Sequence, residues 1–367
     1  SGYNDGDPIV LYDEQADRWL VAEFSISGPN DYMLIAVSQT GDPTGSWDRW
    51  SFDVDDTPDY MKFGVWRDGY YMGTNTYTGS DIYVFERDEM LAGGSSPKMV
   101  QFNNPYRPNS GFHCVLPVDN DGDFAPIGTP GMFATINDNA WGGSSTDQIW
   151  LYELDVDWNL TTNSTFSRVQ QIDVESFDSN FGPTWENIQQ PGTGQKLDAI
   201  NQILMHRTQY RNFGNTQNIV MNHTVDVDGT DHAGIRWYEL EHNGTDWEVR
   251  QHGTYAPDGD SRWMGSISMN ASREIALGYS VSSSSTYPSI RYAGQSVAEY
   301  NTASGVLDIA EESMHEGTAS QTSSERWGDY SAMCVDPVDD HTFWITTQYN
   351  VSGYTKGTRI ASFEFSS

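Results

Sequence analysis

Apolar and polar positions alternate with a period of two along most of the chain, in runs of five to nine residues that Gly, Asp, Asn and Pro interrupt. Val, Ile, Tyr, Phe and Trp dominate these runs, and this period and composition are typical of β-strands. A helical pattern is confined to the short stretch ERDEMLAGG, from Glu86 to Gly94, whose glycines end it after one turn. The pattern predicts an all-β protein.

A hairpin of similar length returns along the chain. It is clearest in PIVLYDEQADRWLVAEF, YMKFGVWRDGYYMGTNTY, WMGSISMNASREIALGYSVS and DYSAMCVDPVDDHTFWITTQY, and two looser copies give starts near residues 8, 60, 112, 203, 263 and 329. Each hairpin precedes an outer strand such as MLIAVSQT or GIRWYELE, and most units offer a fourth strand.

Such repeats are typical of a β-propeller, in which radial repetition leaves only short sheet edges. We therefore expect residues 1–367 to form a single β-propeller domain of four-stranded antiparallel blades. Six blades are visible, and the last lacks a fourth strand. The stretch between Phe177 and Ile203 has room for further strands, so seven blades are the alternative. A flat β-sandwich would not explain the repeated hairpin.

The charge balance narrows the choice of partners. Nineteen basic against 52 acidic side chains leave a formal net charge of −33 at pH 7, which argues against nucleic acid or an anionic membrane as the partner. No apolar run approaches the roughly 18 residues that a membrane-spanning helix needs, so we expect no membrane insertion. The sequence thus favours a secreted or cell-surface protein.

Asn-x-Ser/Thr sequons, which suit an exported glycoprotein, occur six times. The candidate acceptors are Asn159, Asn163, Asn222, Asn243, Asn270 and Asn350. The two cysteines, Cys114 and Cys334, both lie in apolar, strand-like runs. Two buried thiols and one long-range disulfide are the two alternatives.

Candidate site residues lie where each hairpin's first strand begins, because the loops that enter the innermost strands of a propeller crowd one mouth of the channel. The catalytic candidates are Asp59, His113, Asp329 and Tyr330, and the ligand-binding candidates are Tyr60, Lys62, Arg262, Trp263, Arg326 and Trp327. The cations would bind acidic or hydroxyl-rich groups, and the aromatic rings would face sugars. The alternative interpretation is structural, with Arg beside an aromatic residue tying neighbouring blades together.

Two kinds of catalysis fit these residues. A glycosidase needs two carboxylates on either side of one bond, with one pKa raised, and Asp59 and Asp329 are the best-placed pair. A lyase or hydrolase based on His and Tyr would recruit His113, His206, His223 and Tyr330.

Two acidic loops suggest Ca²⁺, which prefers several oxygen ligands around a turn. They are DNDGD, with Asp119, Asp121 and Asp123, and DVDGTD, with Asp226, Asp228 and Asp231. Neither is followed by the Glu that closes an EF-hand, so ordinary solvated β-turns are the alternative.

Longer segments resemble a family of exported bacterial β-propeller proteins. They are GDPIVLYDEQADRW, KLDAINQILMHRTQYRNFG, GTYAPDGDSRWMGSISMN and RWGDYSAMCVDPVDDHTFWITTQY. The resemblance spans nearly the whole chain and implies fold and export, since that family has no established activity.

Three hypotheses for function remain. The first is an extracellular recognition or assembly module that binds a glycan or a protein partner. The second is a carbohydrate-active enzyme, a glycoside hydrolase before a polysaccharide lyase, with its site at the channel mouth. The third is a structural subunit whose incomplete last blade accepts a strand from another chain, since an open sheet edge invites pairing.

Overall fold

The computed structural model describes residues 5–76, 78, 81–112 and 114–365. These residues form an all-β structure of antiparallel sheets, as the alternating pattern predicts. The chain divides into two compact units. Ser1–Asn137 and Ile149–Gln171 make the first unit, and Asp138–Gln148 and Ile172–Ser367 make the second.

The first unit consists of three successive meanders, in which each strand pairs with the next one along the chain. The strand orders are β1-β2-β3-β4, β5-β6-β7-β8 and β9-β10-β11-β12. The strands are β1 (Gly6–Asp13), β2 (Arg18–Ser25), β3 (Asp31–Ser38), β4 (Trp47–Val54), β5 (Asp59–Trp66), β6 (Gly69–Asn75), β7 (Ile82–Glu86), β8 (Met99–Phe102), β9 (Leu116–Asp121), β10 (Gly131–Asn137), β11 (Gln148–Asp155) and β12 (Thr165–Asp173). The predicted helical turn is confirmed as α1 (Arg87–Leu91).

The second unit repeats the same connectivity. Its strand orders are β13-β14, β15-β16-β17-β18, β19-β20-β21-β22 and β23-β24-β25. The strands are β13 (Glu186–Ile188), β14 (Leu197–Asp198), β15 (Leu204–Asn212), β16 (Gln217–Asp226), β17 (Ala233–His242), β18 (Trp247–Tyr255), β19 (Ser261–Met269), β20 (Ile275–Ser282), β21 (Ser289–Gln295), β22 (Ile309–His315), β23 (Ala332–Val335), β24 (Phe343–Ser352) and β25 (Thr355–Phe363). A short helix, α2 (Val297–Tyr300), follows β21.

Several first strands carry a β-bulge near their start. The register shifts between Asp59 and Lys62 in β5 and between Trp263 and Ser266 in β19. Tyr60 and Met264 lie inside these bulges and have φ of 54° and 51°. Residues other than Gly rarely occupy this region of backbone conformation. A bulge changes the direction of the side chains that follow it. The alternating pattern of the sequence therefore does not predict which face of the sheet these side chains occupy at the start of the strand.

Apolar side chains from the strand faces form the cores. In the first unit, Leu20, Phe63 and Tyr83 belong to one buried cluster. In the second unit, Trp237 and Tyr279 belong to another cluster, which β16, β17, β19 and β20 share. These clusters fix the sheets, so polar side chains on the strands and on their connecting loops are held in defined positions.

Candidate functional site

A polar cavity of about 840 Å³ opens in the second unit, between the loop before β13 and the ends of β16, β17 and β18. Its volume is within the range of pockets that hold small ligands. We call it the Arg236 pocket. It is lined by Asp138, Asn139, Ala140, Ser176, Phe177, Asp178, Asn180, Val225, Asp226, Val227, Arg236, Thr254 and Ala256.

Two buried carboxylates hold the loop that forms one wall. Asp138 accepts hydrogen bonds from Ser179 N at 3.0 Å and Ser179 Oγ at 2.7 Å, and also from Ala140 N at 2.8 Å. Asp147 accepts from Phe177 N at 2.7 Å. These bonds tie an irregular segment to fixed acceptors, so the wall is shaped before any ligand binds.

Asp226 at the end of β16 shapes the opposite wall. Its Oδ1 accepts from Gly229 N and its Oδ2 from Asp231 N, both at 2.9 Å. Its own backbone N–H donates to the carbonyl of Asp178 at 2.8 Å. The carboxylate is therefore engaged by its own turn, and it fixes the edge of the pocket next to the exposed Asp178.

Arg236 is the one cation among the lining residues that the structure describes. The register of β16, β17 and β18 places it opposite His223 on one side and Thr254 on the other. Its Nε donates to Thr254 Oγ1 at 2.7 Å, and its Nη2 donates to the carbonyl of Ser176 at 3.4 Å. Arg236 is 8% exposed, so a largely buried guanidinium is held at the cavity wall.

A buried His–Tyr pair lies on the same sheet face as Arg236. The rings of His223 and Tyr238 stack at 5.7 Å with an 8° interplanar angle, and His223 Nε2 lies 3.3 Å from Tyr238 Oη. Phe177, which lines the pocket, packs edge-on against His223 at 4.6 Å. Both members of the pair are fully buried, so they pack against the residues of the pocket wall and are not exposed in the pocket.

Burial and the nearby guanidinium control the charge of this face. Burial, aided by Arg236, lowers the pKa of His223 to about 3, so its imidazole is neutral at neutral pH. The pKa of His252 is lowered by the same two causes. Because a guanidinium only donates hydrogen bonds, Nδ1 of His252 accepts from Arg236 Nη1 at 3.5 Å. Among the described residues that line the pocket, Arg236 thus supplies the permanent positive charge.

The pocket offers hydrogen-bonding groups of both kinds. Asp178 is exposed, and its Oδ1 accepts from Asn180 N at 2.8 Å. Its carboxylate, the amides of Asn139 and Asn180, and the guanidinium of Arg236 surround one space. Such a mixture of acceptors and donors matches a ligand rich in hydroxyl groups, since each hydroxyl both donates and accepts.

A second polar cluster contains part of the predicted mouth. Arg326 pairs with Asp329, and the electrostatic influence of Tyr330 also reaches Arg326. Lys356 Nζ donates to the carbonyl of Arg326 at 3.1 Å. Burial, with a contribution from Asp329, raises the pKa of Asp198. The cluster therefore joins two carboxylates in different environments with two cations and an exposed tyrosine.

The other predicted residues of the second unit have architectural contacts. Arg262 is fully buried, and it bonds Glu311 at 2.7 Å and Asp258 at 2.8 Å. Trp263 and Trp327 are buried with ring centroids 5.9 Å apart, so they do not present flat faces to a ligand. Arg262 does not join the cluster of Arg326, because it turns toward these acidic partners.

In the first unit, Tyr60 and Lys62 come together and both are buried. Lys62 Nζ lies 3.4 Å from the centroid of the Tyr60 ring, and the ring packs edge-on against Phe112 at 4.8 Å. Asp59 is exposed at the start of β5, where its carboxylate lies 3.5 Å from Asn75 Nδ2. His113 lies outside the described residues.

Of the two predicted calcium loops, the first lies partly in a strand, since Asp119 and Asp121 belong to β9, and the second is a hydrogen-bonded turn. Asp119 is buried and accepts from Val65 N at 2.8 Å, and Asp228 Oδ1 accepts from Thr230 Oγ1 at 2.6 Å. Asp231 Oδ1 accepts from Gly182 N at 2.6 Å. Across the described ranges, no three His, Cys, Asp or Glu side chains are grouped as metal ligands. Calcium binding at Asp119, Asp121 and Asp123 or at Asp226, Asp228 and Asp231 stays a prediction.

The sequons divide by exposure. Asn159, Asn163 and Asn243 are exposed. Asn222, Asn270 and Asn350 are fully buried, and the folded protein has no room for a glycan on a fully buried amide.

The cysteines also differ from expectation. Both are thiols, and Cys114 is buried as predicted, whereas Cys334 is exposed. The prediction of two buried thiols is therefore wrong for Cys334. The reason is that it occupies the outward position of β23, between the inward Met333 and Val335.

Sequence reasoning missed Arg236, His252 and Asp198. Arg236 lies inside the apolar run GIRWYELE, which reads as an ordinary outer strand. The feature that could have revealed it is a charged side chain in a strand that is buried along most of its length. A buried charge is stable only when hydrogen-bonding or oppositely charged partners surround it. No comparable sequence feature marks Asp198, because it follows an irregular stretch.

No protein-family model and no curated protein sequence matches the chain. The chain is similar to a solved structure of unknown function from Dyadobacter fermentans, with a TM-score of 0.45, 12% identity and coverage of 99% of this chain and 95% of that one. It is also similar to an endo-arabinase from Bacteroides thetaiotaomicron (TM-score 0.36, 10% identity, 79% and 94% coverage). An ulvan lyase bound to a GlcA–Rha3S ligand is similar as well (TM-score 0.45, 11% identity, 99% and 79% coverage). None of these similarities identifies a ligand for this chain.

Proposed function

We propose that the chain is a β-propeller of six blades that acts outside the cell. The proposal is supported by six successive groups of three or four consecutively paired strands, which begin at β1, β5, β9, β15, β19 and β23 and to which the two-stranded β13-β14 pair adds no further group of that size. In the described part of the chain, no helix combines the length and the hydropathy needed to cross a membrane. The acidic composition and the exposed sequons at Asn159, Asn163 and Asn243 fit a secreted or cell-surface protein.

We further propose that the protein is a recognition module that binds a glycan in the Arg236 pocket. The observation that carries this proposal is the pocket itself, about 840 Å³ in volume and lined by fixed donors and acceptors. Arg236 supplies the charged donor, Asp178 an exposed acceptor, and Phe177 an apolar edge. Glycan hydroxyls satisfy both kinds of polar group at once.

A neutral glycan fits better than a polyanionic one. Asp138, Asp178 and Asp226 line the pocket with one guanidinium, and Glu175 lies 3.8 Å from Arg236 as a further carboxylate. The protein carries a net charge of −33, which repels polyanions over the screening distance in solution. Hydroxyl groups, in contrast, donate to the carboxylates without repulsion.

An array of neutral and uronic-acid glycans tests this proposal. Wild type would bind neutral glycans, and Arg236→Gln and Asp178→Asn would bind them more weakly. Arg359→Gln, the same substitution at an exposed position of β25, is the matched control. Selective binding of uronic-acid glycans would overturn the assignment of a neutral ligand, and retained binding by both pocket variants would overturn the site.

A second candidate function is a glycoside hydrolase, and the Asp198–Asp329 pair is the observation that favours it. Burial raises the pKa of Asp198, whereas Arg326 pairs with Asp329. Two carboxyl groups whose environments differ in this way can divide the roles of general acid and of nucleophile or base.

Release of reducing ends from neutral polysaccharides measures this activity. Asp198→Asn and Asp329→Asn would each abolish hydrolysis, while Asp53→Asn, at an exposed position of β4, would not change it. Hydrolysis that survives in both cluster variants would exclude this pair. Glycan binding without release of reducing ends would favour the recognition module.

A further inference from the structure

The hairpin between β17 and β18 turns through Asn243, Gly244, Thr245 and Asp246. Asn243–Gly244 is the one Asn–Gly pair in the sequence. Asn243 is exposed, and Gly244 has φ of 100° with no heavy atom within 4 Å of the place where a Cβ would stand. The backbone nitrogen after Asn243 is therefore unhindered by any side chain of its own residue.

Two backbone groups polarise the Asn243 side chain. Its Oδ1 accepts hydrogen bonds from Thr245 N and Asp246 N, both at 2.9 Å. Donors at this oxygen withdraw electrons from the amide carbon Cγ and stabilise the negative charge that develops on oxygen when a nucleophile adds.

The imidazole of His242 lies beside the backbone nitrogen of Gly244. The Gly244 N–H donates to Nδ1 of His242 at 3.3 Å. The His242 ring packs edge-on against Trp247 at 5.2 Å, and this pair closes the β17–β18 ladder. The imidazole is thus held where it can accept the proton that Gly244 N must lose.

We propose that Asn243 is a site of structure-assisted deamidation. The Gly244 nitrogen forms a bond to Cγ of Asn243, and its proton passes to His242 Nδ1. The bond from Cγ to Nδ2 then breaks, and the nitrogen leaves as ammonia with that proton. Water opens the resulting succinimide at either carbonyl and gives aspartate or isoaspartate, so the net change is amide plus water to carboxylic acid plus ammonia.

The product changes the hairpin and removes a sequon. Asn243 Nδ2 donates to Glu248 Oε1 at 2.8 Å, so a carboxylate at position 243 replaces an attraction with repulsion between like charges. Asn243 is also the acceptor of the sequon Asn-Gly-Thr. A glycan on Nδ2 and deamidation are therefore alternative fates of one side chain.

Peptide mapping by mass spectrometry during incubation of the unglycosylated protein tests the proposal. We expect acid to appear at Asn243 well before Asn163, an exposed Asn followed by Ser, which serves as the internal control. In His242→Phe, which keeps a ring against Trp247, the rate would fall at least about tenfold, since general bases contribute roughly 10²–10⁴ in enzymes.

A parallel incubation in denaturant separates the fold from the local sequence. Folded wild type would deamidate faster than the unfolded chain, and folded His242→Phe would lose this advantage. An unchanged rate in His242→Phe that is folded by circular dichroism would overturn the role of His242. A slower rate in the folded wild type than in denaturant would show that the turn protects Asn243 and would overturn the proposal.

Discussion

Acid should destabilise the second unit through His223. Its pKa falls from 6.5 to about 3 in the folded protein, mainly because the ring is buried. In the unfolded chain the same imidazole takes up a proton near its ordinary pKa. Between these two values the unfolded state binds more protons than the folded state, so the stability due to neutral His223 is complete above pH 6.5 and is lost as the pH falls toward 3.

The magnitude follows from the size of the pKa change. Each pKa unit corresponds to about 1.4 kcal/mol, so at about pH 4.5 the unfolded state gains roughly 3 kcal/mol relative to pH 7.5. The full change of about 5 kcal/mol would be reached only below the folded pKa, under about pH 2. Many carboxylates titrate in the same range, and a reference variant must remove their contribution.

His223→Gln supplies that reference, because Gln does not titrate and can still reach the hydroxyl of Tyr238. Urea unfolding, followed by tryptophan fluorescence and by far-UV circular dichroism, gives the free energy of unfolding where the two transitions coincide. We expect wild type to lose about 3 kcal/mol more than the variant between pH 7.5 and 4.5. Parallel pH profiles would show that His223 takes up protons equally in both states and would refute its burial as a neutral group.

Two further predictions concern other buried groups. Arg262→Met should lower the free energy of unfolding by about 2 kcal/mol, because it removes the charged hydrogen bonds that join Glu311 to Asp258 while Arg291 still pairs with Glu311. An unchanged urea midpoint would show that these bonds are not structural. Iodoacetamide should modify Cys334 in the native protein before Cys114, because burial raises the pKa of Cys114 to about 12 and only the thiolate reacts; mass spectrometry of tryptic peptides measures the order, and equal labelling would contradict it.

The strands could be predicted from the sequence because successive side chains of a β-strand point to opposite faces of the sheet, so that burial alternates with a period of two residues. The hairpins predicted near residues 8, 60, 203 and 263 correspond to first strands that begin at Gly6, Asp59, Leu204 and Ser261. The short helix α2 gave no signal, since a helix of four residues has too few positions to show a 3.6-residue period.

Only part of the candidate sites could be predicted from the sequence. Arg326, Asp329 and Tyr330 lie within five consecutive residues, so their proximity could be predicted without knowledge of the fold. Arg262 is next to Trp263 in a similar motif, yet its partner Glu311 lies on another strand, and a pattern of neighbours cannot reveal such a partner.

The Arg236 pocket could not be predicted from its residues one by one. Arg236 meets Thr254 across a strand pair and Ser176 from a loop, and these three positions are separated in sequence. Their convergence depends on strand register and on a loop that hydrogen bonds hold in place. A local sequence pattern contains neither.

Isothermal titration calorimetry of the preferred array glycan measures directly how much Arg236 contributes to binding of a neutral glycan in the proposed site. Wild type and Arg359→Gln should bind with equal affinity. Arg236→Gln should bind about 10-fold to 100-fold more weakly, since a hydrogen bond from a charged donor contributes roughly 1.5–3 kcal/mol. Equal affinity for Arg236→Gln and wild type, with both proteins folded, would show that Arg236 does not bind the glycan.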